Sequence, residues 1–358
     1  MTGGPADSPL VDWRLAERVA VTISRSGTEA AAVSQEDVTR AGERAVTMVA
    51  EYTRLDPRAE LPRPEAVDRP EWVRANLTAF RGMSADVERR LAGSLRLPGP
   101  LRGLGLTVAG TAAAAQLGLA LGYMGRKVLG QYDVALIGPA RPPRLLFVAP
   151  NLAEANRRLG GDRALFLHWI ALHEATHAFQ FAAVPWLREH IGGMVEELLG
   201  TAALDGNVSH LRAAVRHLVP PGDPRRLVEH LREGGLVRLL AGPREVGVLR
   251  RLQATMAVIE GYSEHVMDAI GADLDPDYAR LREAVDGERE RRGTLDAIVA
   301  TLLGLDMKLR QYRLGKRFAD SVALRAGIEG LNGVWRAPDA LPDADELEHP
   351  GRWLARMG

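Results

Sequence analysis

Apolar residues recur at intervals of three and four through most of this chain, the spacing of amphipathic helices. A short helix opens at Asp12-Trp13 and ends by Gly27. Ser34 starts a second, reaching about Arg54, with Val38, Ala41, Ala45, Val49 and Tyr52 on one stripe. After a proline-rich connector over 57–70, Pro70 suits the first turn of a helix bearing Trp72, Leu77, Phe80, Met83, Val87 and Leu91. The strand signal is confined to residues 132–137 and 144–148, which flank a Gly/Pro-rich turn and predict a hairpin. Its free edge could receive an extended peptide.

The helix that follows is apolar nearly all round, which places it centrally. Asp162, after Gly160-Gly161, is its expected N-cap and Pro185 its expected stop. Leu165, Trp169, Leu172, Thr176 and Phe179 form one stripe; Phe166, Ile170, His173, His177 and Phe181 form a second. A later helix opens near Pro243, runs through Val246, Leu249, Leu252, Met256 and Ile259, and stops at Gly271. The tail from Trp335 to Trp353 reads as an irregular strap anchored by those tryptophans. The expected fold class is therefore predominantly α, formally α+β, with a small β-hairpin before the central helix. A helical N-terminal part spans 1–125 and a second part spans 126–358, the two forming one integrated domain.

Residues 103–125 carry no charge and imitate a membrane span. Their Gly and Ala contribute little to insertion, so a tightly packed core helix is expected instead. The N-terminus lacks the basic and apolar regions of a signal peptide, which predicts a cytoplasmic protein. The formal charge is zero, which disfavours nucleic acid or an anionic membrane as partner. With no Cys, disulfides, thiolate metal sites and Cys nucleophiles are excluded.

The chemistry lies on the central helix, where His173-Glu174-Ala175-Thr176-His177 spells HExxH. Two imidazoles four apart share one helix face and can hold one Zn²⁺, with Glu174 placed as general base. A catalytic zinc takes three protein ligands. The extended motif would supply another His locally, but Gln180 and Ala183 stand at its Gly and His positions. The best source elsewhere is the 260–268 stretch. Glu260 and Glu264 share a face there, one able to ligate zinc and the other to accept the second N–H of a ligating His. His265 and Asp268 are reserves. His190, His210, His217 and His230 form no chelating pair.

HExxH followed by Glu260-x-x-Ser263-Glu264 resembles the gluzincin arrangement, which implies Glu260 as third ligand and Glu264 where that clan usually carries Asp. Val11-Asp-Trp13, the 173–181 stretch, Glu260-Gly-Tyr262, 305–312 and Leu331-Asn-Gly-Val-Trp335 are together similar to a zincin-like metallopeptidase family of high-GC bacteria. That family is often labelled as associated with biosynthesis of the deazaflavin coenzyme. The resemblance covers nearly the whole chain and implies a zincin-like fold, one zinc and a peptide or protein substrate. The reaction expected is hydrolysis of a peptide or related amide bond, with Tyr262, His265, Arg310 and Tyr312 as candidate transition-state donors. The alternative is a non-catalytic zincin scaffold serving coenzyme biosynthesis as a binding protein. A di-iron bundle would need a second ExxH, and Glu346-Leu-Glu-His349 in the tail is a poor place for one.

Overall fold

Asp12 caps the first helix, α1 (Trp13–Ser24), its carboxylate accepting from the Leu15 amide at 2.9 Å. Ser34 Oγ likewise accepts from the Asp37 amide at 3.1 Å at the start of α2 (Gln35–Thr53). The computed structural model describes residues 11–25, 33–94, 100–138, 140–204, 243–290 and 305–358. They are mostly helical, with one small sheet. The chain divides into two units, Met1–Val38 with Pro64–Ala155 and Thr39–Arg63 with Asn156–Gly358.

The first unit holds α1, α3 (Arg69–Ser94), α4 (Pro100–Gly125) and the strands β1 (Pro64–Val67), β2 (Gly130–Asp133) and β3 (Arg144–Val148). The uncharged Gly/Ala run is α4, and it packs on α1 through its glycines. A Cβ on Gly118 would lie 2.8 Å from the Ala16 carbonyl oxygen, and one on Gly122 would lie 2.8 Å from that of Ala20. Hydrogen side chains are what allow the two backbones to approach this closely. Ala16, Ala20, Trp72, Val73, Leu121, Leu146 and Val148 form the surrounding core. Among the described residues, no helix is long and apolar enough to cross a membrane.

In the sheet, β3 is central, parallel to β1 and antiparallel to β2. The predicted hairpin is present with Tyr132 opposite Leu145, but β2 covers 130–133 rather than 132–137. β1 was not expected, because Pro64-Glu-Ala-Val67 is short and embedded in the proline-rich connector; its pairing partner lies far along the chain. β3 is paired on both sides and has no free edge to offer a peptide. It runs directly into α5 (Ala149–Leu159), where the buried Asn151 donates to the carbonyls of Gly125 (2.9 Å) and Val128 (2.6 Å) and accepts from Arg69 (2.6 Å).

The second unit holds α6 (Arg163–Ala183), α7 (Pro185–Leu204), α8 (Pro243–Leu274), α9 (Tyr278–Glu290) and α10 (Leu305–Leu331). Asp162 caps α6, accepting from the Leu165 amide at 2.8 Å. Pro185 follows the end of α6 and opens α7, as fits a residue without an amide hydrogen. Of the predicted α6 stripes, Phe166, Trp169, Ile170, Leu172, Thr176 and Phe179 are buried, while Leu165 and Phe181 are half-buried. α8 packs against both α6 and α10, and it continues past Gly271 to Leu274. Gly271 serves instead as the seat of the Tyr278 ring.

The tail is ordered rather than irregular. Two 3₁₀ turns, Asn332–Trp335 and Pro338–Ala340, lead into α11 (Ala344–Glu348) and α12 (Pro350–Met357). Asp343 and Glu346 form a reciprocal capping box on α11. Trp335 and Trp353 are buried anchors, and the Trp353 indole donates to the Ala340 carbonyl at 2.7 Å. His190 packs edge-on against Trp186, whereas His210, His217 and His230 lie outside the described residues.

Candidate metal centre

α6 carries His173 and His177 on one face, one turn apart, and places their Nε2 atoms 3.1 Å from each other. α8, packed across that face, brings Glu260 Oε2 to 3.5 Å from His173 Nε2 and 3.7 Å from His177 Nε2. These donors, all within 4.8 Å of one another, form the metal-capable cluster found among the described residues. All three side chains are mostly shielded from water, with exposures of 23%, 12% and 17%. Two imidazole nitrogens and one carboxylate oxygen, converging in a partly buried cluster, suit a single Zn²⁺ with an open position.

The electrostatics describe the same concentration of charge. Burial opposes protonation of His177, but the hydrogen bond and charge of Glu260, helped by Glu174, push its pKa up to about 9. Burial alone would raise the Glu260 carboxyl; hydrogen bonds and positive charge from His173 and His177 hold it well below the usual carboxylate range instead. Glu174 is buried on α6, close enough for its charge to act on His177.

The remaining residues singled out from the sequence go to other places. Glu264, buried one turn beyond Glu260, accepts from Arg282 of α9 at 2.9 Å. At His177 the place expected for a carboxylate is taken by Gln180 Oε1, 2.9 Å from Nδ1, and Ser263 Oγ at 3.2 Å. Tyr262 is fully buried, donates to Asn332 Oδ1 at 2.7 Å and meets the Trp335 ring edge-on. His265 lies between the Tyr52 hydroxyl (2.9 Å) and Asp320 Oδ1 (2.8 Å). Asp268 accepts from Tyr278 at 2.6 Å and pairs with Arg282 and Lys316 at 3.3 and 3.1 Å. Arg310 and Tyr312 lie on α10 with side chains outside the described set. In the second ExxH, Glu346 is held by Arg356 at 2.6 Å, an ion pair and cap rather than an inward-facing ligand.

Gln180 and Ser263 are the contacts that sequence reasoning missed. Both are buried polar residues three places beyond a candidate metal ligand, and a buried polar group needs a partner.

The sequence profile of the family described as zincin-like metallopeptidase matches residues 11–354. The chain belongs to the zincin-like metallopeptidase family. Among solved structures, this zincin-like protein is similar to one from Chloroflexus aurantiacus described as a proposed hydrolase with a novel fold. The two are 29% identical, the TM-score is 0.67, and the match covers 97% of this chain and 98% of the other. No curated protein is significantly similar to this family member.

Proposed function

We propose that this chain is a zinc-dependent metallopeptidase that hydrolyses a peptide or related amide bond. The observation that carries the reading is the convergence of His173, His177 and Glu260 beside Glu174. Bound there, zinc would supply Lewis acidity, polarising the scissile carbonyl and making a water molecule easier to deprotonate. Glu174 removes the proton as the water oxygen bonds to the carbonyl carbon. It then delivers that proton to the departing nitrogen as the C–N bond breaks. Glu174 is shielded from bulk water, and the same helix that presents the histidines fixes its position.

Glu174→Gln tests the assignment. The variant should retain about one zinc per chain while its cleavage of a peptide library, followed by mass spectrometry, falls about 10²–10⁴-fold. Undiminished cleavage by Glu174→Gln would remove Glu174 from the reaction.

A further inference from the structure

Building on that metal reading, we infer that Gln180 is a positioning residue that sets the orientation of His177 and ties the two ligand-bearing helices together. The side chain is fully buried, and both ends of its amide are used. Nε2 donates to the Ile259 carbonyl at 2.9 Å, on the residue immediately before Glu260. Oε1 lies 2.9 Å from His177 Nδ1.

The chemistry of these atoms decides the tautomer. A carbonyl oxygen can only accept, so the Gln180 NH₂ must face Ile259 and Oε1 must face the ring. An amide oxygen can also only accept, so His177 Nδ1 carries the hydrogen. In the neutral ring that a metal ligand must be, His177 Nε2 is then the nitrogen left with a lone pair, and it faces His173 Nε2 and Glu260 Oε2.

Ser263, one turn along α8 from Ile259, completes the lock. Its Oγ donates to the Ile259 carbonyl at 3.1 Å and offers its lone pairs to His177 Nδ1–H at 3.2 Å, with Gln180 Oε1 at 3.3 Å. Gln180 thus sits three residues after one ligand and bonds the backbone one residue before another. A single side chain couples the histidine pair to the third ligand. The partner is a neutral amide, so it orients the ring without adding negative charge to the cluster.

The test compares Gln180→Leu and Gln180→Glu with the wild type. Zinc affinity is read by competition with a chelating dye, coordination by the visible spectrum of the Co²⁺-loaded protein, and folding by thermal melting of the metal-free form. Gln180→Leu should bind zinc about 10–100-fold more weakly and shift the Co²⁺ bands. Gln180→Glu keeps an acceptor for Nδ1–H and should recover most of that affinity, although its metal-free form melts no higher than Gln180→Leu. Affinity and stability then move apart, which a packing role alone would not produce. Should Gln180→Leu fail to fold, Gln180→Met, closer in shape, carries the same expectation. Wild-type zinc affinity and an unchanged Co²⁺ spectrum in the apolar variant would overturn the inference, as would Gln180→Glu binding as weakly as Gln180→Leu. A wild type that takes up no zinc would overturn the metal reading and this inference with it.

Discussion

Gly261 on α8 and Gly315 on α10 meet backbone to backbone: a Cβ on Gly261 would lie 2.1 Å from the Gly315 carbonyl carbon. The contact is reciprocal, since a Cβ on Gly315 would lie 1.8 Å from the Ala257 carbonyl oxygen. Gly261 directly follows Glu260, so the distance between these helices bears on where that carboxylate sits. Backbone atoms cannot yield as a flexible side chain would. Gly261→Ala is therefore expected to lower stability by about 1–3 kcal/mol, the usual cost of overpacking, and to weaken zinc binding as well. Urea unfolding and zinc titration of the variant check both parts.

Arg282 anchors a charge cluster further along α8. It donates to Glu264 at 2.9 Å and lies 3.3 Å from Asp268 and 3.2 Å from Asp286. Glu264 is only 8% exposed as a side chain, so removing Arg282 strips a buried carboxylate of an ion pair. Arg282→Ala should cost about 3–5 kcal/mol, whereas the double change Arg282→Leu with Glu264→Leu should recover much of it. Chemical denaturation of both variants measures the difference.

His168 on α6 is buried, and among the described residues neither ring nitrogen makes a hydrogen bond of good geometry, the Ala41 backbone offering at most a weak one. Burial, with the charge of Arg44 nearby, pushes its pKa from 6.5 down to about 4. Between those values the unfolded chain binds a proton that the folded chain refuses, so stability falls as pH drops from about 6.5 towards 4. At ~1.4 kcal/mol per unit the loss reaches ~3 kcal/mol. His168→Leu should flatten this acid-side decline while leaving stability at pH 8 equal or higher. Melting temperatures across the pH range decide it.

The helices were legible because their apolar stripes and caps agree: Asp12, Ser34 and Asp162 each sit where an orphan amide needs an acceptor. β1 was not, because a four-residue strand gains its identity from pairing with β3 some eighty residues later, which no local pattern encodes. At the cluster, spacing pointed to His173 and His177 and to one of Glu260 and Glu264, and the family resemblance implied Glu260. The partner of Glu264 stayed hidden because Arg282 belongs to a different helix, α9. Gln180 stayed hidden because it stands where a longer motif would have Gly, so it read as an absence. Its meaning appears only when the Ile259 carbonyl is placed opposite.

The most direct measurement of the central claim is metal content per chain, by elemental analysis of protein purified without chelator or metal-affinity tag. Wild type should carry about one zinc, and Glu260→Ala should lose it while remaining folded. One zinc retained in Glu260→Ala, or none in the wild type after zinc is added back, would contradict the site formed by His173, His177 and Glu260.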